Sequence, residues 1–223
     1  YDTGQLEPGQ IRGTNGLVMA TVLAELGATG LDLGIVGDNA DDLRRALARA
    51  AVEADAIVTS GGVSMGENDL VKAVLTELGG VEFWQVAMQP GKPFAFGMID
   101  GTPLFGLPGN PVSVFVAFEQ FVRPALLHMM GSPSQFRPRI TGVIDEDVRT
   151  SAEKTVFIRV ALSWDGATPH ARPSGGQDSN VLSALASADA LAVIPVGTGD
   201  VTVGSTVELE MYRYPEDRGL SDG

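Results

Sequence analysis

One segment, residues 55–75, constrains the fold of this chain more than any other. It consists of a predicted buried strand at 55–58, a glycine-bearing turn at 59–69 and an amphipathic helix from residue 70 onwards. Glycines let backbone N–H groups approach a ligand closely, and the start of a helix carries a partial positive charge. α/β proteins use this order to bind phosphate-bearing molecules where parallel strands end. The segment therefore predicts an α/β fold with an anion-binding turn, and an ordinary tight turn is the alternative.

Residues up to 131 are predicted to alternate between strands and helices, as in a three-layer α/β/α domain with a mostly parallel sheet. Pro124 is expected to kink or split the last helix, which Asn110 should cap and Gly131 should end. Predicted helices cover 17–26, 40–53, 70–78 and 111–130, and predicted strands cover 31–36, 56–59, 81–86, 94–98 and 104–107, with the last two paired around a turn at 100–101.

The pattern changes after residues 132–134. Short β-like runs separated by Gly, Pro, Asp and Ser predict a small β-barrel or sandwich, with one helix near 179–186. The expected organisation is an α/β domain at 1–135, a β domain at 136–214 and a polar tail at 215–223. Because the α/β domain would open on a helix instead of a strand, we expect the sequence to be the C-terminal part of a longer protein.

Composition excludes several classes of protein. The net charge of −13 argues against a nucleic-acid surface, which needs a basic stripe. There is no run of 18 apolar residues to span a membrane, and no cysteine for a disulfide or a thiolate metal site. An acidic protein without cysteine fits the cytoplasm. Any polyanion must then be bound locally by backbone N–H groups, a few basic side chains and divalent cations.

Two further turns have the same character as the first. Within the first turn, Gly61, Gly62, Ser64 and Gly66 are the candidate ligand-binding residues. The turn at 105–113 also follows a strand and opens a helix; Pro108 and Pro111 stiffen it, Gly109 permits close approach, and Asn110 precedes the helix. A turn at 88–93 carries Lys92, which is either a phosphate-binding cation or an ordinary solvated lysine. The first two turns are expected to converge on one ligand.

Two acidic residues are candidates for a metal site. Asp38 and Asp69 each follow a predicted strand, so they are placed to share a Mg²⁺ through oxygen ligands and to act in catalysis. The alternative for Asp38 is that it only caps the helix at 40–53.

Three motifs resemble one family. Ser-Gly-Gly-Val-Ser-Met-Gly-Glu-Asn-Asp at 60–69, Pro-Gly-Lys-Pro-Phe-Ala-Phe-Gly at 90–97 and Gly-Leu-Pro-Gly-Asn-Pro-Val-Ser at 106–113 occur in the order and spacing seen in molybdopterin molybdenumtransferases. That family includes bacterial MoeA and the gephyrin E domain. The resemblance covers essentially the whole chain and implies the family's third domain, which binds molybdopterin, followed by its fourth, a β-barrel.

The resemblance also implies an activity. Relatives insert molybdate into adenylylated molybdopterin with Mg²⁺ and release AMP. Asp38 and Asp69 match acidic positions of the metal–pterin site, and Arg159 and Ser179 match functional positions in the barrel. A homodimer is implied, with an adenylyltransferase or molybdoenzymes as further partners. Many bacterial relatives have Lys where this chain has Gln85 and Gln89, so molybdate capture would depend on Lys92, Arg159 or backbone groups.

Two alternatives remain open at the level of the sequence. One is a molybdopterin adenylyltransferase, which shares the α/β domain but has a Gly-Gly-Thr-Gly turn and no barrel. The other is a non-catalytic scaffold of the gephyrin type, which predicts an apolar groove near the barrel and no need for Asp69.

Overall fold

In the computed structural model of the protein, residues 13–37, 39–63, 70–78 and 80–214 are described. The helices are α1 (Asn15–Leu26), α2 (Ala40–Glu53), α3 (Leu70–Leu78), α4 (Pro111–Ala117), α5 (Arg123–Met129) and α6 (Leu182–Ala186). The strands are β1 (Ile57–Ser60), β2 (Val81–Gln85), β3 (Met88–Gln89), β4 (Pro93–Ile99), β5 (Thr102–Leu107), β6 (Arg139–Ile144), β7 (Thr155–Asp165), β8 (Thr168–Pro173), β9 (Ala190–Ile194) and β10 (Thr206–Met211).

The first sheet has the strand order β1-β5-β4-β2 and carries helices on both faces. On one face, Phe105 and Leu107 of β5 pack with α1, α4 and α5; on the other, Ile57 and Leu104 pack with α2 and α3. Neighbouring strand residues point to opposite faces, so each strand contributes to both cores. The predicted three-layer α/β/α domain is confirmed.

The sheet contains less parallel pairing than the sequence pattern suggested. Among the described strands, β1 and β5 are parallel, whereas β5–β4 and β4–β2 are antiparallel. The connections explain this, because parallel neighbours need a crossover of a dozen or more residues. Only the turn at 100–101 joins β4 to β5, and only residues 86–92 join β2 to β4.

The predicted strand at 31–36 is wrong. Residues 31–37 form no strand, and the Gly34 N–H donates to Asp32 Oδ1 at 2.8 Å in a local turn. Gly34 has φ +76°, a left-handed conformation that interrupts an extended strand. The Asp32 side chain therefore accepts a hydrogen bond from the local backbone. In a strand, the same backbone group would pair across a sheet.

The predicted helix at 111–130 is divided, as Pro124 suggested. Residues Phe118–Val122 form a π-helical turn between α4 and α5, and Pro124 is the second residue of α5. Proline lacks the N–H that would continue the α-helical ladder, and a π-turn is one way to absorb that loss. Gly131 has φ +74° and ends the helix, with its N–H donating to the His128 carbonyl at 3.0 Å.

Residues 139–211 form a closed five-stranded barrel. Its strands follow the cyclic order β7-β8-β6-β10-β9, and β9 pairs again with β7. Strand β8 was missing from the sequence prediction because Pro169, His170 and Pro173 give it a weak β pattern. The two-residue strand β3 pairs in parallel with β7. This pairing attaches the segment that precedes β4 to the barrel.

Candidate functional site

The two glycine turns that were expected to converge lie side by side. Parallel pairing of β1 with β5 places Ser60 opposite Leu107, so both turns leave the sheet at the same edge. The Gly61 N–H donates to the Leu107 carbonyl at 3.0 Å, and Ser60 Oγ donates to the Pro108 carbonyl at 3.1 Å. Asn15 Nδ2 of α1 donates to both Ser60 Oγ and the Gly109 carbonyl, each at 2.7 Å. These bonds hold the two turns in one fixed arrangement.

The two glycines at the start of the first turn have left-handed backbones. Gly61 has φ +90° and Gly62 has φ +68°. A Cβ at Gly62 would lie 2.2 Å from Val71 Cγ2, whereas a Cβ at Gly61 would meet nothing within 4 Å. Gly62 is therefore required for packing α3 onto the turn, and Gly61 keeps backbone exposed beside the neighbouring turn.

A cavity of about 450 Å³ opens beside the second turn, where the α/β domain meets the barrel. Five of the predicted binding residues line it: Lys92, Pro108, Gly109, Asn110 and Ser179. The lining does not include Gly61, Gly62, Pro111 or Arg159. Pro111 is instead the first residue of α4.

Asn110 connects the two domains. Its Nδ2 donates to Ser179 Oγ at 2.6 Å, and the Val112 N–H donates to the Ser179 carbonyl at 3.2 Å. Asn110 is the N-cap residue of α4, as expected, but its side chain makes no hydrogen bond to the first turn of that helix. The barrel loop supplies a better partner, so Asn110 closes one wall of the cavity.

Arg159 lies behind the loop that carries Ser179. Its side chain is fully buried, and its Nη2 donates to the carbonyls of Gly176 at 2.6 Å and Asp178 at 3.2 Å. Burial lowers the pKa of the guanidinium, and Nε and Nη1 have no hydrogen-bond partner among the described residues. These two hydrogen bonds from Arg159 fix the backbone of residues 176–178. Its predicted contact with substrate stays a prediction.

The predicted metal ligands, Asp38 and Asp69, lie outside the described residues. The predicted binding residues Ser64 and Gly66 also lie outside them. Within the described ranges no cluster of three His, Asp or Glu side chains is arranged to hold a metal ion. The cap of α2 is Asn39, whose Oδ1 accepts from the Asp41 and Asp42 N–H groups.

The chemistry around the first turn fits a hard cation. Asn15 Oδ1 and Thr59 Oγ1 are buried oxygen atoms without a hydrogen-bond partner in the described part of the chain. Thr59 is the third residue of β1, and Asn15, the first residue of α1, contacts Ser60 at the end of that strand. Mg²⁺ prefers carboxylate and other oxygen ligands, so unpaired oxygen atoms of this kind are suitable donors for it.

Several cavity residues were not predicted. Lys154 and Ser113 line the cavity, and so does Gln89. The signal for Lys154 was its position directly before the strand that carries Arg159, but sequence spacing alone does not show that this strand runs beside residues 87–89. Gln177 and Asp178, which directly precede Ser179, also line the cavity.

Comparisons with known proteins agree with this architecture. Residues 3–128 match the family described as "Probable molybdopterin binding domain", and residues 141–212 match "MoeA C-terminal region (domain IV)". Molybdopterin molybdenumtransferase of Haemophilus influenzae is 34% identical over 94% of this chain and 52% of its own length. Molybdopterin molybdenumtransferase 2 of Mycobacterium tuberculosis is 38% identical over 92% of this chain and 51% of its own length.

A solved structure shows the same fold. The molybdopterin biosynthesis MoeA protein of Pyrococcus horikoshii superposes with a TM-score of 0.80 at 31% identity, over 95% of this chain and 51% of that protein. The fold and the family matches thus define an α/β domain of the probable molybdopterin-binding class joined to a β-barrel. The chain belongs to the molybdopterin molybdenumtransferase (MoeA) family, and it spans about half the length of the curated relatives it matches. None of its described helices is long and apolar enough to cross a membrane.

Proposed function

We propose that this chain forms the part of a molybdopterin molybdenumtransferase that binds adenylylated molybdopterin and molybdate. In this proposal molybdate is inserted into the pterin and AMP is released. The names of the relatives support this activity. The observation that carries it is the cavity between the second glycine turn and the barrel loop at 177–179, which Asn110 and Ser179 join by a hydrogen bond.

The size and lining of the cavity suit such a ligand. Its volume of about 450 Å³ lies within the range of roughly 300–1,000 Å³ that is usual for small-molecule sites. Lys92 supplies a positive charge, and the hydroxyl groups of Ser113 and Ser179 supply hydrogen bonds for anionic oxygens. The fixed turn at 108–110 excludes part of the solvent and orients the ligand against the sheet edge.

Mg²⁺ is part of the proposal. Asp38 and Asp69 would hold it, and the unpaired Asn15 Oδ1 and Thr59 Oγ1 are further candidate oxygen donors among the described residues. When bound, the ion would offset the negative charge of the phosphate groups. The task of this chain's own residues is to position the pterin phosphate between the first turn and the cavity.

Calorimetric titration of the chain with molybdopterin-AMP, with and without Mg²⁺, tests the proposal. We expect micromolar binding that weakens when Mg²⁺ is removed by a chelator. AMP alone serves as the control and should bind more weakly, because it lacks the pterin. Absence of binding in both conditions would contradict a pterin site in this chain and would favour the non-catalytic scaffold.

We also propose that the protein acts as a homodimer. The segment after α1 runs back along that helix, and Ile35 within it is 93% exposed. Leu17 of α1 and Leu31 are each about half exposed. An apolar surface of this kind is stabilised when a second copy covers it. An adenylyltransferase that makes the substrate and molybdoenzymes that receive the product are the further partners expected.

A further inference from the structure

Unpaired cations are rare in this protein. It contains 28 acidic and 15 basic residues, and ten of the thirteen described basic side chains contact an acid, a carbonyl group or an aromatic ring. Among the described residues, the side chains of Lys92, Lys154 and Arg149 have no such contact. The first two of these line the same cavity. Two of the three lysines in the chain therefore lie in one cavity and have no partner among the residues that the structure describes.

The fold brings these two lysines together from separate domains. Strand β3 pairs in parallel with β7, with Met88 opposite Thr155, and the Thr155 N–H donates to the Ala87 carbonyl at 2.9 Å. Lys154 directly precedes this pairing and is half-buried. Lys92 follows β3 on the same turn. The start of β7 is thus held against the turn that carries Lys92, so a barrel residue becomes part of the wall of the α/β domain's cavity.

We propose that Lys154 is an oxyanion-binding residue and that it holds a doubly charged tetrahedral oxyanion together with Lys92. The cavity lining carries two lysines and one carboxylate, Asp178, so it retains a net positive charge in a strongly acidic protein. Two ammonium groups match the charge of a dianion, and the Ser113 and Ser179 hydroxyls can donate to its remaining oxygens. The inference rests on the proposed function and assigns the anion subsite within it.

The same chemistry fits two sources of oxyanion, molybdate itself and the phosphate group of the pterin substrate. Calorimetric titrations of the whole chain with sodium molybdate and with inorganic phosphate separate them. The variants are Lys154→Gln, Lys154→Arg and Arg149→Gln. Arg149 is the matched control because it is exposed, unpaired among the described residues and outside the cavity, and its replacement changes the net charge equally.

We expect Lys154→Gln to weaken oxyanion binding about tenfold, since a hydrogen bond to a charged group is lost. Lys154→Arg should restore most of the affinity, and Arg149→Gln should leave it within about twofold of the wild type. The dependence of the affinity on salt concentration should also become shallower in Lys154→Gln. Thermal unfolding of each variant checks that the fold is retained.

The outcomes separate this inference from the proposed function. Weaker binding of molybdate alone would assign Lys154 to molybdate, and weaker binding of phosphate alone would assign it to the substrate phosphate. The inference is overturned if Lys154→Gln binds both anions as tightly as Arg149→Gln, or if the wild type binds neither at millimolar concentration. A different outcome would contradict the proposed function alone: an oxyanion binds, but molybdopterin-AMP does not.

Discussion

At the scale of single residues, the glycines of the two paired turns have different tasks. Gly62 has a left-handed backbone, and Val71 of α3 occupies the place where its Cβ would lie. Gly109 lines the cavity, and a Cβ there would meet only the Gly61 Cα, at 4.0 Å. Gly62 therefore serves the packing of the domain, whereas Gly109 leaves room for a ligand.

Substitution of these two glycines should separate stability from binding. Gly62→Ala is expected to lower the free energy of unfolding by about 2 kcal/mol, because a methyl group overlaps Val71 and φ is positive. Gly109→Ala should change it little, while Gly109→Val should weaken molybdopterin-AMP binding through crowding. Urea denaturation and calorimetry give the two quantities. Unchanged pterin affinity in Gly109→Val would show that the second turn only starts the helix.

Asp69 is the residue for which we predict the clearest catalytic effect. Asp69→Ala should abolish molybdate insertion, because a metal ligand is lost, and should leave the free energy of unfolding nearly unchanged. The measurement is formation of molybdenum cofactor from molybdopterin-AMP and molybdate by the complete enzyme. Asp165→Ala, which removes an exposed carboxylate at the end of β7, is the control. Wild-type turnover of Asp69→Ala would exclude the metal role.

At the scale of elements, the π-turn between α4 and α5 fastens the first domain to the segment that leads into the barrel. It carries Glu119, which is 4% exposed. Glu119 accepts from Arg137 Nε at 2.8 Å and from Arg137 Nη2 at 3.0 Å, and Arg123 Nε lies 3.7 Å away. Burial lowers the pKa of Arg137 while the two hydrogen bonds and charge of Glu119 raise it, and the net effect is a raised pKa.

Removal of Glu119 should be costly. Glu119→Ala leaves two largely buried guanidinium groups without their carboxylate, so we expect the free energy of unfolding to fall by about 3 kcal/mol. Urea denaturation measures the change. The exposed Arg49–Glu53 pair on α2 offers the comparison, and Glu53→Ala should leave the stability almost unaltered. An equal effect of the two substitutions would contradict a structural role for the buried pair.

At the scale of the whole molecule, the cavity exists only because the two domains meet. The Asn110–Ser179 hydrogen bond and the β3–β7 pairing bring the barrel against the α/β domain on two sides of the cavity. The exposed apolar residues Leu17, Leu31 and Ile35 do not line this cavity. They are the place where we expect a second copy to bind.

The proposed dimer can be tested at Ile35. Ile35→Asp places a charge in the expected interface, so the variant should be monomeric where the wild type is dimeric. Light scattering coupled to size-exclusion chromatography gives the mass directly. Val52→Asp is the control, because Val52 is also highly exposed but lies at the end of α2. A monomeric wild type, or a dimeric Ile35→Asp, would contradict this interface.

The sequence by itself determined the local elements and the identity of the turns. Helices α2 and α3 begin and end at the predicted residues, because periodic apolar positions and helix boundaries are encoded within a few neighbouring residues. The three motifs placed the chain in its family. The segment at 31–36 was mispredicted because hydrophobicity alone does not register the turn made by Asp32 and Gly34.

Only the tertiary structure decided which residues share the cavity. Asn110 was expected to cap a helix, but a barrel loop about 70 residues away supplies its partner. Arg159 was expected to contact the ligand, and the structure shows that its side chain also holds the carbonyl groups of Gly176 and Asp178 beside Ser179. The place of Lys154 in the cavity follows only from the pairing of β7 with β3. These contacts join distant parts of the chain, and their geometry follows from how the sheet and the barrel pack against each other, which local sequence patterns do not encode.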